Sequence, residues 1–506
     1  MQYCSVNCIY DRYDIALIWL TYLTFLGGVD EIGGNKVLLE DNDIRIMLDF
    51  GMSFSQSSKY FSEFLQPRKC NCLEDFITVG LLPKIQGIYR EDYIKHAGWP
   101  KEERAVDAVL ISHAHADHAS FIHHLRQDIP IYMSQESKAI MDTLEVTGSG
   151  GFKDFCNYSC SFLYKPKRDG SGYTKIKGED AKSPREINTI TFGKKFRVGT
   201  IEIIPYEVDH SLPGASAFLI HTSQGTILYT GDYRFHGYRK EATKDMVEAA
   251  SKEVIDVIIT EGTRVSEQKG NTETDVFTRV SELVRDTKQL TVVNFPARDM
   301  ARMKTFYMVA QETGKKLVLD LKQAYLLDQL SILGKDYPTT DDPNLCFFAE
   351  KKNWGIIGRK DFPEDLVQQD YDKWERDYLS KSNAINYRDI KQNQSDYMYF
   401  CSYFMLNELI DIKPNPGSMY IRSVCEPFDE EMELDERRVK NWLTLMSLEG
   451  PHQIHASGHA SGPELFDALE KIKPKKIIPI HTENADLFQK QLNQATRVKL
   501  GERIQL

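Results

Sequence analysis

Long apolar runs are missing from this 506-residue sequence. The run Ile15 to Leu26 is about twelve residues, whereas a membrane span needs about twenty. A membrane anchor is therefore disfavoured, and Tyr22 to Leu26 reads as a first core strand. A secretory leader is not expected, because the chain opens with acids and polar groups and no basic start. Residues 1–20 read as an extension with no assigned role. Cysteine is scarce and odd in number, nine in all. That excludes a disulfide framework and suits reduced thiols in the cytoplasm. Cys70 with Cys72 and Cys156 with Cys160 would offer thiolates to a structural zinc; the plainer reading is buried or surface thiols. Positive charge is also in deficit, with a net charge of −11. A duplex-coating protein would be basic, so any nucleic-acid contact must be local, with metal ions able to supply positive charge at a reaction centre.

What is present is the balance of a globular protein, 41% hydrophobic and 27% charged. The length calls for two or three structural units. Lys36 to Glu40 and Ile44 to Asp49 read as a hairpin turning at Asp41-Asn42-Asp43. Residues 55–104 look irregular, Ser134 to Val146 helical, and Lys165 to Arg185 an exposed loop. Strands are expected at Ile201 to Val208, Ala217 to His221, Thr226 to Thr230 and Val254 to Thr260. After about residue 268 the texture becomes α/β alternation. Helices are expected at Glu273 to Thr287, Asp299 to Thr313 and Leu321 to Leu333, with parallel strands at Val292 to Phe295 and Lys316 to Leu319. Residues 335–400 are polar and aromatic, and short strands with histidines resume near 450. The expected organisation is an extension (1–20), a first domain (21–268), an inserted domain (269–447) and the return of the first domain (448–506).

The chemistry concentrates in Ser112-His113-Ala114-His115-Ala116-Asp117-His118, just past a buried strand. A loop at a strand end can turn His113 and His115 to one ion and Asp117 and His118 to another; imidazole and carboxylate suit zinc or manganese. Asp209-His210, Gly231-Asp232 and His481 each follow a short apolar run, so strand ends would converge on one rim. Asp232 is the natural bridge, since one carboxylate can hold two ions about 3.5–4 Å apart.

These motifs resemble the metallo-β-lactamase fold: H-x-H-x-D-H, then His210, Asp232 and His481. Thr260-Glu261-Gly262-Thr263, His455-Ala456-Ser457-Gly458-His459-Ala460 and Ile478-Pro479-Ile480-His481-Thr482-Glu483 resemble the β-CASP branch. The last of these, with Gly27-Gly28-Val29-Asp30-Glu31-Ile32-Gly33-Gly34-Asn35, is similar to ribonuclease J. The match runs from about Tyr22 to Leu487, less surely over 55–104, 150–190 and 335–400. The resemblance implies an α/β fold, a metallo-β-lactamase αββα sandwich with an inserted α/β β-CASP domain. It implies two divalent ions, Zn2+ or Mn2+. One would be held by His113, His115, His210 and Asp232, the other by Asp117, His118, Asp232 and His481. Asp117 would also serve catalysis. Asp49 and Glu261 would support the ligands or position water. His459 would be the general acid beside the scissile phosphate, with Ser457 contacting its oxygens.

The implied activity is hydrolysis of single-stranded RNA, with DNA an alternative polymer; 5′–3′ exonuclease is one mode the resemblance allows, and the sequence does not separate it from endonuclease. No membrane partner is expected, and a homodimer is one assembly the resemblance allows. The alternative is a hydrolase of a small ester, lactone or thioester. A Ser-Gly-His acid and an inserted domain speak against it, because a small substrate needs neither. A scaffold that has lost its ligands is a third reading, disfavoured because every ligand position is filled. Lys165, Lys167 and Arg168 would touch a phosphate backbone or form a solvated loop; Arg298, Arg302 and Lys304 would line a groove on the inserted domain.

Overall fold

The computed structural model of the chain describes residues 20–62, 64–176, 182–334, 337–427 and 430–506. The extension expected at 1–20 therefore lies almost wholly outside the described residues. Among those residues the chain forms three large sheets and two short two-stranded ribbons.

The first sheet begins where Thr21–Gly27 buries every second residue, the signature of a strand with one face on a core. It pairs with Lys36–Asp41, which turns through Asn42 into Ile44–Leu48. Asn42 sits at φ 58°, a left-handed conformation that asparagine tolerates in turns. Ala108–Leu110, Ile131–Ser134 and Ile187–Ile190 extend this sheet on one side, and Arg503–Gln505 closes the other. The second sheet runs in the order Phe196–Val198, Ile201–Glu207, Ser216–His221, Thr226–Tyr229, Val257–Thr260 and Lys476–Pro479.

These two sheets pack face to face. Leu23, Phe25, Leu39 and Leu48 of the first meet Ile203, Phe218, Ile227 and Ile259 of the second in one buried cluster. Each such side chain contributes about 1.5–3 kcal/mol on burial. The second sheet's outer face is covered by the helices Lys240–Ala250 and Gly462–Ile472. The first sheet's outer face is covered by Gln135–Thr147. The result is helix, sheet, sheet, helix.

The third sheet is wholly parallel, in the order Ala384–Ile385, Leu345–Phe348, Lys316–Asp320, Tyr397–Phe400, Thr291–Asn294, Met419–Arg422, Glu449–Gln453. Its inner strands are short and mostly apolar, as expected where a sheet is buried on both faces, whereas the edge strand Glu449–Gln453 is polar and largely exposed. Thr291–Asn294 and Lys316–Asp320 are parallel but not adjacent, because Tyr397–Phe400 lies between them. The polar, aromatic stretch 335–400 supplies three strands of this sheet. The edge strand Glu449–Gln453 also belongs here, and the chain then crosses back to the sandwich. Helix Gln135–Thr147 packs on Leu321–Ser331 of the inserted unit. One hydrophobic cluster runs from the first sheet's outer face into the inserted unit's core.

The segment Lys165 to Arg185 also departs from expectation. Tyr164–Pro166 and Tyr173–Lys175 form an exposed hairpin, while Lys182–Pro184 pairs with Asn157–Ser159. Arg185 is buried and donates to the carbonyls of His123, Leu125 and Arg126. Among the described residues no helix is long and apolar enough to cross a membrane.

Candidate metal centre

Six strands end at one rim of the sandwich. Asp49 follows Ile44–Leu48, His113 follows Ala108–Leu110, and His210 follows Ile201–Glu207. Asp232 follows Thr226–Tyr229, Glu261 follows Val257–Thr260, and His481 follows Lys476–Pro479. Several of these strands are parallel neighbours, so their carboxyl ends align, the usual place for a site in such sheets. Asp49 and His481 adopt φ values of 55° and 52°. Left-handed backbone at residues other than glycine is strained and concentrates at functional sites. Two glycines make room for Asp117. A Cβ on Gly51 would lie 1.8 Å from the Asp117 carbonyl oxygen, and one on Gly33 2.8 Å from its Cβ.

The side chains fall into three groups, and one of them, Asp232, Glu261, His459 and His481, overlaps the other two through Asp232 and His481. In the first, ligand-type atoms of His113, His115, His210 and Asp232 lie within 4.8 Å of one another. His115 Nδ1 is 2.9 Å from His113 Nε2 and 3.1 Å from His210 Nε2. The second holds Asp117, His118 and His481. His481 Nε2 is 3.0 Å from Asp117 Oδ2. Asp232 Oδ2 faces the first and the second, 3.6 Å from His113 Nε2 and 3.2 Å from His118 Nε2.

Each imidazole is held by its outer nitrogen. His118 Nδ1 donates to Asp49 Oδ2 at 2.7 Å, and His210 Nδ1 to the Gly458 carbonyl at 2.6 Å. His481 Nδ1 meets Thr263 Oγ1 at 2.8 Å, and His113 Nδ1 meets Ser112 Oγ at 3.1 Å. His115 Nε2 is 3.4 Å from Ser211 Oγ. The opposite nitrogen of every ring turns inward, the arrangement that fixes tautomer and aim in metal-ligating histidines. Asp49 is the hub of this support, accepting also from the Ser112 backbone N–H, Ser112 Oγ and Tyr229 OH.

Burial drives His113 and His210 well below the ordinary imidazole range, and like-charged neighbours add to this. Burial likewise takes His115 down to about 3. His118 and His481 go upward: burial opposes their charge, but Asp232 and Asp117 outweigh it. The donor set fits divalent cations on two counts. His113, His115 and His210 are held in the neutral form, and Asp117 and Asp232 in the ionised form, that a metal ligand requires. Asp232 is buried, and its Oδ1 has no hydrogen-bond partner among the described residues. A buried orphan carboxylate oxygen is costly, and a cation is a partner that would satisfy it.

His459 approaches the same carboxylate from another segment. Its Nδ1 lies 3.8 Å from Asp232 Oδ2 and donates to Glu261 Oε2 at 3.0 Å. Glu261 is fixed by the backbone N–H groups of Tyr233 and Thr263. Burial lowers the His459 pKa, but Glu261 and Asp232 outweigh it and hold it at about 9. Ser457 Oγ accepts from the His459 backbone N–H, so it shapes this turn.

Beneath the turn lies a buried charge network. Arg234 donates to the Ser457 carbonyl at 2.9 Å and to Glu273 at 3.2 Å. Arg302 donates twice to Glu273 at 3.1 Å and to the Ala456 carbonyl at 2.8 Å. Arg302 is therefore not a groove residue, contrary to expectation. Lys304 sits over the Tyr238 ring. Arg298 is half-buried, and its charge acts on His115 and Asp117. Glu273→Gln is expected to cost about 3–5 kcal/mol, because two buried guanidiniums lose their shared counter-charge. Denaturant unfolding would measure this, and a midpoint equal to the parent's would contradict it.

The network, Asn35 beside His118 at 3.1 Å, and Tyr229 were not foreseen from sequence. Asn35 stands inside the quoted Gly-Gly-Asn turn, a signal that was present. No cysteine falls in a metal-ligand grouping among the described residues, and Cys70 is exposed while Cys72 and Cys156 are buried. The plainer reading of the thiols is the one the structure supports.

The chain is similar to known proteins. Residues 450–503 match the family described as RMMBL, the Zn-dependent metallo-hydrolase RNA specificity domain. The chain is 21% identical over 488 residues to Ribonuclease J of Pyrococcus abyssi, covering 90% of this chain and 89% of that one. It is 21% identical over 500 residues to Ribonuclease J 2 of Streptococcus pyogenes serotype M3, covering 95% of this chain and 71% of that one. A crystal structure of a protein of unknown function from Enterococcus faecalis V583 superposes with a TM-score of 0.70 at 23% identity, covering 96% of this chain and 100% of that one. Its fold is shared. The sandwich, the inserted parallel sheet and these similarities support a metallo-β-lactamase-type fold and a resemblance to ribonuclease J proteins.

Proposed function

We propose that the chain is a metal-dependent ribonuclease that hydrolyses phosphodiester bonds of single-stranded RNA, with His459 as general acid. The observation that carries this reading is the inward aim of five imidazoles and two carboxylates, with a separate His459–Glu261 pair facing the shared Asp232. His113, His115, His210 and Asp232 would hold one divalent ion, and Asp117, His118, Asp232 and His481 a second, with zinc the metal named for the matching family. When bound, two such cations supply a water activated near neutral pH and offset charge developing on the phosphate. The relatives' name, ribonuclease, points to RNA as the polymer.

The chain's own residues supply the rest. Asp49, Ser112, Thr263 and the Gly458 carbonyl lock the imidazoles before substrate arrives, so little reorganisation is needed at reaction. Glu261 holds His459 by Nδ1, and Nε2 has no hydrogen bond among the described residues. That nitrogen is the one positioned to protonate a leaving oxygen, a step a sugar alkoxide requires. A small ester needs no such acid on a second segment.

Purified protein with end-labelled RNA and DNA oligonucleotides, its products read at nucleotide resolution, tests the reading and separates exonuclease from endonuclease. RNA should be cut. Preincubation with a strong chelator should abolish cleavage, and added Zn2+ or Mn2+ should restore it. RNA cleavage that survives removal of all transition metal would refute the metal role. Hydrolysis of small esters with no action on RNA would favour the alternative.

A further inference from the structure

We infer that Arg298 and the cleft along the carboxyl edge of the third sheet form one nucleotide subsite, in which Arg298 holds the phosphate beside the scissile one and the cleft takes the attached sugar and base. This rests on the ribonuclease reading and names residues that reading does not use. Ligands of open parallel sheets sit outside the carboxyl ends of the strands, where the chain order reverses. Here Tyr397–Phe400 separates Thr291–Asn294 from Lys316–Asp320, and a cleft of about 620 Å³ opens over that point. Its lining residues Phe295, Asp320, Glu350, Tyr403, Phe404 and Arg422 end or follow five neighbouring strands. That volume lies within the usual range of small-molecule sites.

The cleft and the metal centre meet at one short loop. Pro296 and Ala297 line the cleft, and the charge of the next residue, Arg298, acts on His115 and Asp117. Both flanks of Arg298 are fixed. Gln323 Nε2 donates to the Ala297 carbonyl at 3.2 Å. Asp299 is buried, caps the helix Met300–Thr313 and interacts by charge with Arg302, Glu273 and Arg234 of the network beneath Ser457. The Arg298 guanidinium is half-buried and makes no hydrogen bond or ion pair among the described residues. A cation set beside the donors of metal ions is unfavourable without an anion. A phosphate is an anion that a guanidinium grips with paired N–H groups.

The cleft itself suits the neutral part of the nucleotide. Its carboxylates Asp320, Glu350, Glu375, Asp435 and Glu436 outnumber its cations Lys322 and Arg422, so a phosphate is kept out of it, at Arg298. Most of these acids are already paired. Lys352 bridges Glu350 and Glu375 at 2.8 and 2.9 Å, and Arg438 and Lys440 pair with Asp435 and Glu436. Asp320 has no ion pair among the described residues. One of its oxygens accepts from the Gln323 backbone N–H, which leaves the other for a sugar hydroxyl or a base amino group. Phe404 is 87% exposed at the mouth of the cleft, and its ring meets only Tyr403, edge-on with centroids 5.3 Å apart. An exposed aromatic face there suits a stacked base.

The test uses the full chain with metal present, as Arg298→Ala, Arg298→Lys and Phe404→Ala. RNA oligonucleotide cleavage, bis-p-nitrophenyl phosphate turnover and metal content are measured. Inhibition of RNA cleavage by adenosine 5′-monophosphate is compared with that by ribose 5-phosphate. Arg298→Ala should keep its metal and raise KM for RNA about tenfold or more. Its loss on bis-p-nitrophenyl phosphate, which has no flanking phosphate, should be smaller. Arg298→Lys keeps the charge but not the fork and should fall between. On the parent, adenosine 5′-monophosphate should inhibit at least roughly fivefold more strongly than ribose 5-phosphate, and Phe404→Ala should erase that gap. Loss of metal from Arg298→Ala, or a KM at the parent value, would overturn the subsite while leaving the ribonuclease reading intact. A loss confined to kcat and equal on both substrates would overturn it by moving Arg298 to the scissile phosphate. A gap that survives in Phe404→Ala would overturn it by taking the base out of the cleft. If the parent chain does not cut RNA, both readings fall.

Discussion

Asp232→Ala should empty the metal centre and reduce RNA cleavage to the level of the chelated protein. The expectation follows from where the carboxylate sits. Asp232 Oδ2 lies 3.6 and 3.9 Å from the inward nitrogens of His113 and His210, and 3.2 and 3.7 Å from those of His118 and His481. Removing it takes a donor and a negative charge from each position and leaves cations to be held mainly by neutral imidazoles. Metal analysis should fall from about two ions per chain to below one. Asp232→Asn keeps the shape, surrenders the charge and should fall between. Full occupancy in Asp232→Ala would show that the carboxylate is not the bridge and would move the reading to two independent positions.

His459→Ala should leave the metals in place and lower kcat on RNA by about 10²–10⁴-fold, the usual contribution of a positioned acid. His459 and His481 both approach Asp232, so they invite the same role, but their surroundings differ. His481 Nε2 points at Asp117 and its outer nitrogen is held by Thr263. His459 is held by Glu261 and keeps a partly exposed side chain. The first geometry is that of a ligand and the second that of a donor waiting for a leaving group. A substrate with a better leaving group, bis-p-nitrophenyl phosphate, needs less protonation and should recover part of the loss. Loss of metal from His459→Ala, or RNA cleavage at the parent rate, would remove the acid role. Glu261→Gln should follow His459→Ala in direction, because it withdraws the group that aims the ring.

Much of this site was legible because its donors are local or punctuated. His113 to His118 stand within one loop, and His210, Asp232 and His481 each follow a short apolar run that had to be a strand. Local patterns report such features well. The buried network was not legible. Arg302 and Arg234 look like surface cations in sequence, and only the fold shows that Glu273 lies between them. Arg185 was placed in an exposed loop for the same reason: its neighbours are polar, yet it caps the carbonyls after His123. The third sheet was half legible. Thr291–Asn294 and Lys316–Asp320 stood out between helices, but Leu345–Phe348, Ala384–Ile385 and Tyr397–Phe400 are too short and too spaced by polar turns to announce a shared sheet. Strand order, which puts Tyr397–Phe400 between the first two, is a property of long-range pairing and has no local trace.

The pairing of Val257–Thr260 with Lys476–Pro479 bears on how the molecule is made. Lys475 is ion-paired to Asp256, 219 residues earlier in the sequence. A ribosome adding about 5–20 residues per second leaves that strand edge open for roughly ten to forty seconds while the intervening sheet is synthesised. An unpaired parallel edge is prone to wrong partners for as long as it waits. The helix Glu273–Arg285 emerges first after it and carries its own capping box at Thr272 and Asp275, so the intervening unit can start to fold locally. The donors His113, His115, His210 and Asp232 have all emerged before that interval begins, whereas His481 arrives only after it. On the proposed two-ion reading, the grouping of His113, His115, His210 and Asp232 is complete on the nascent chain, and that of Asp117, His118 and His481 closes only when the last strand of the second sheet has docked.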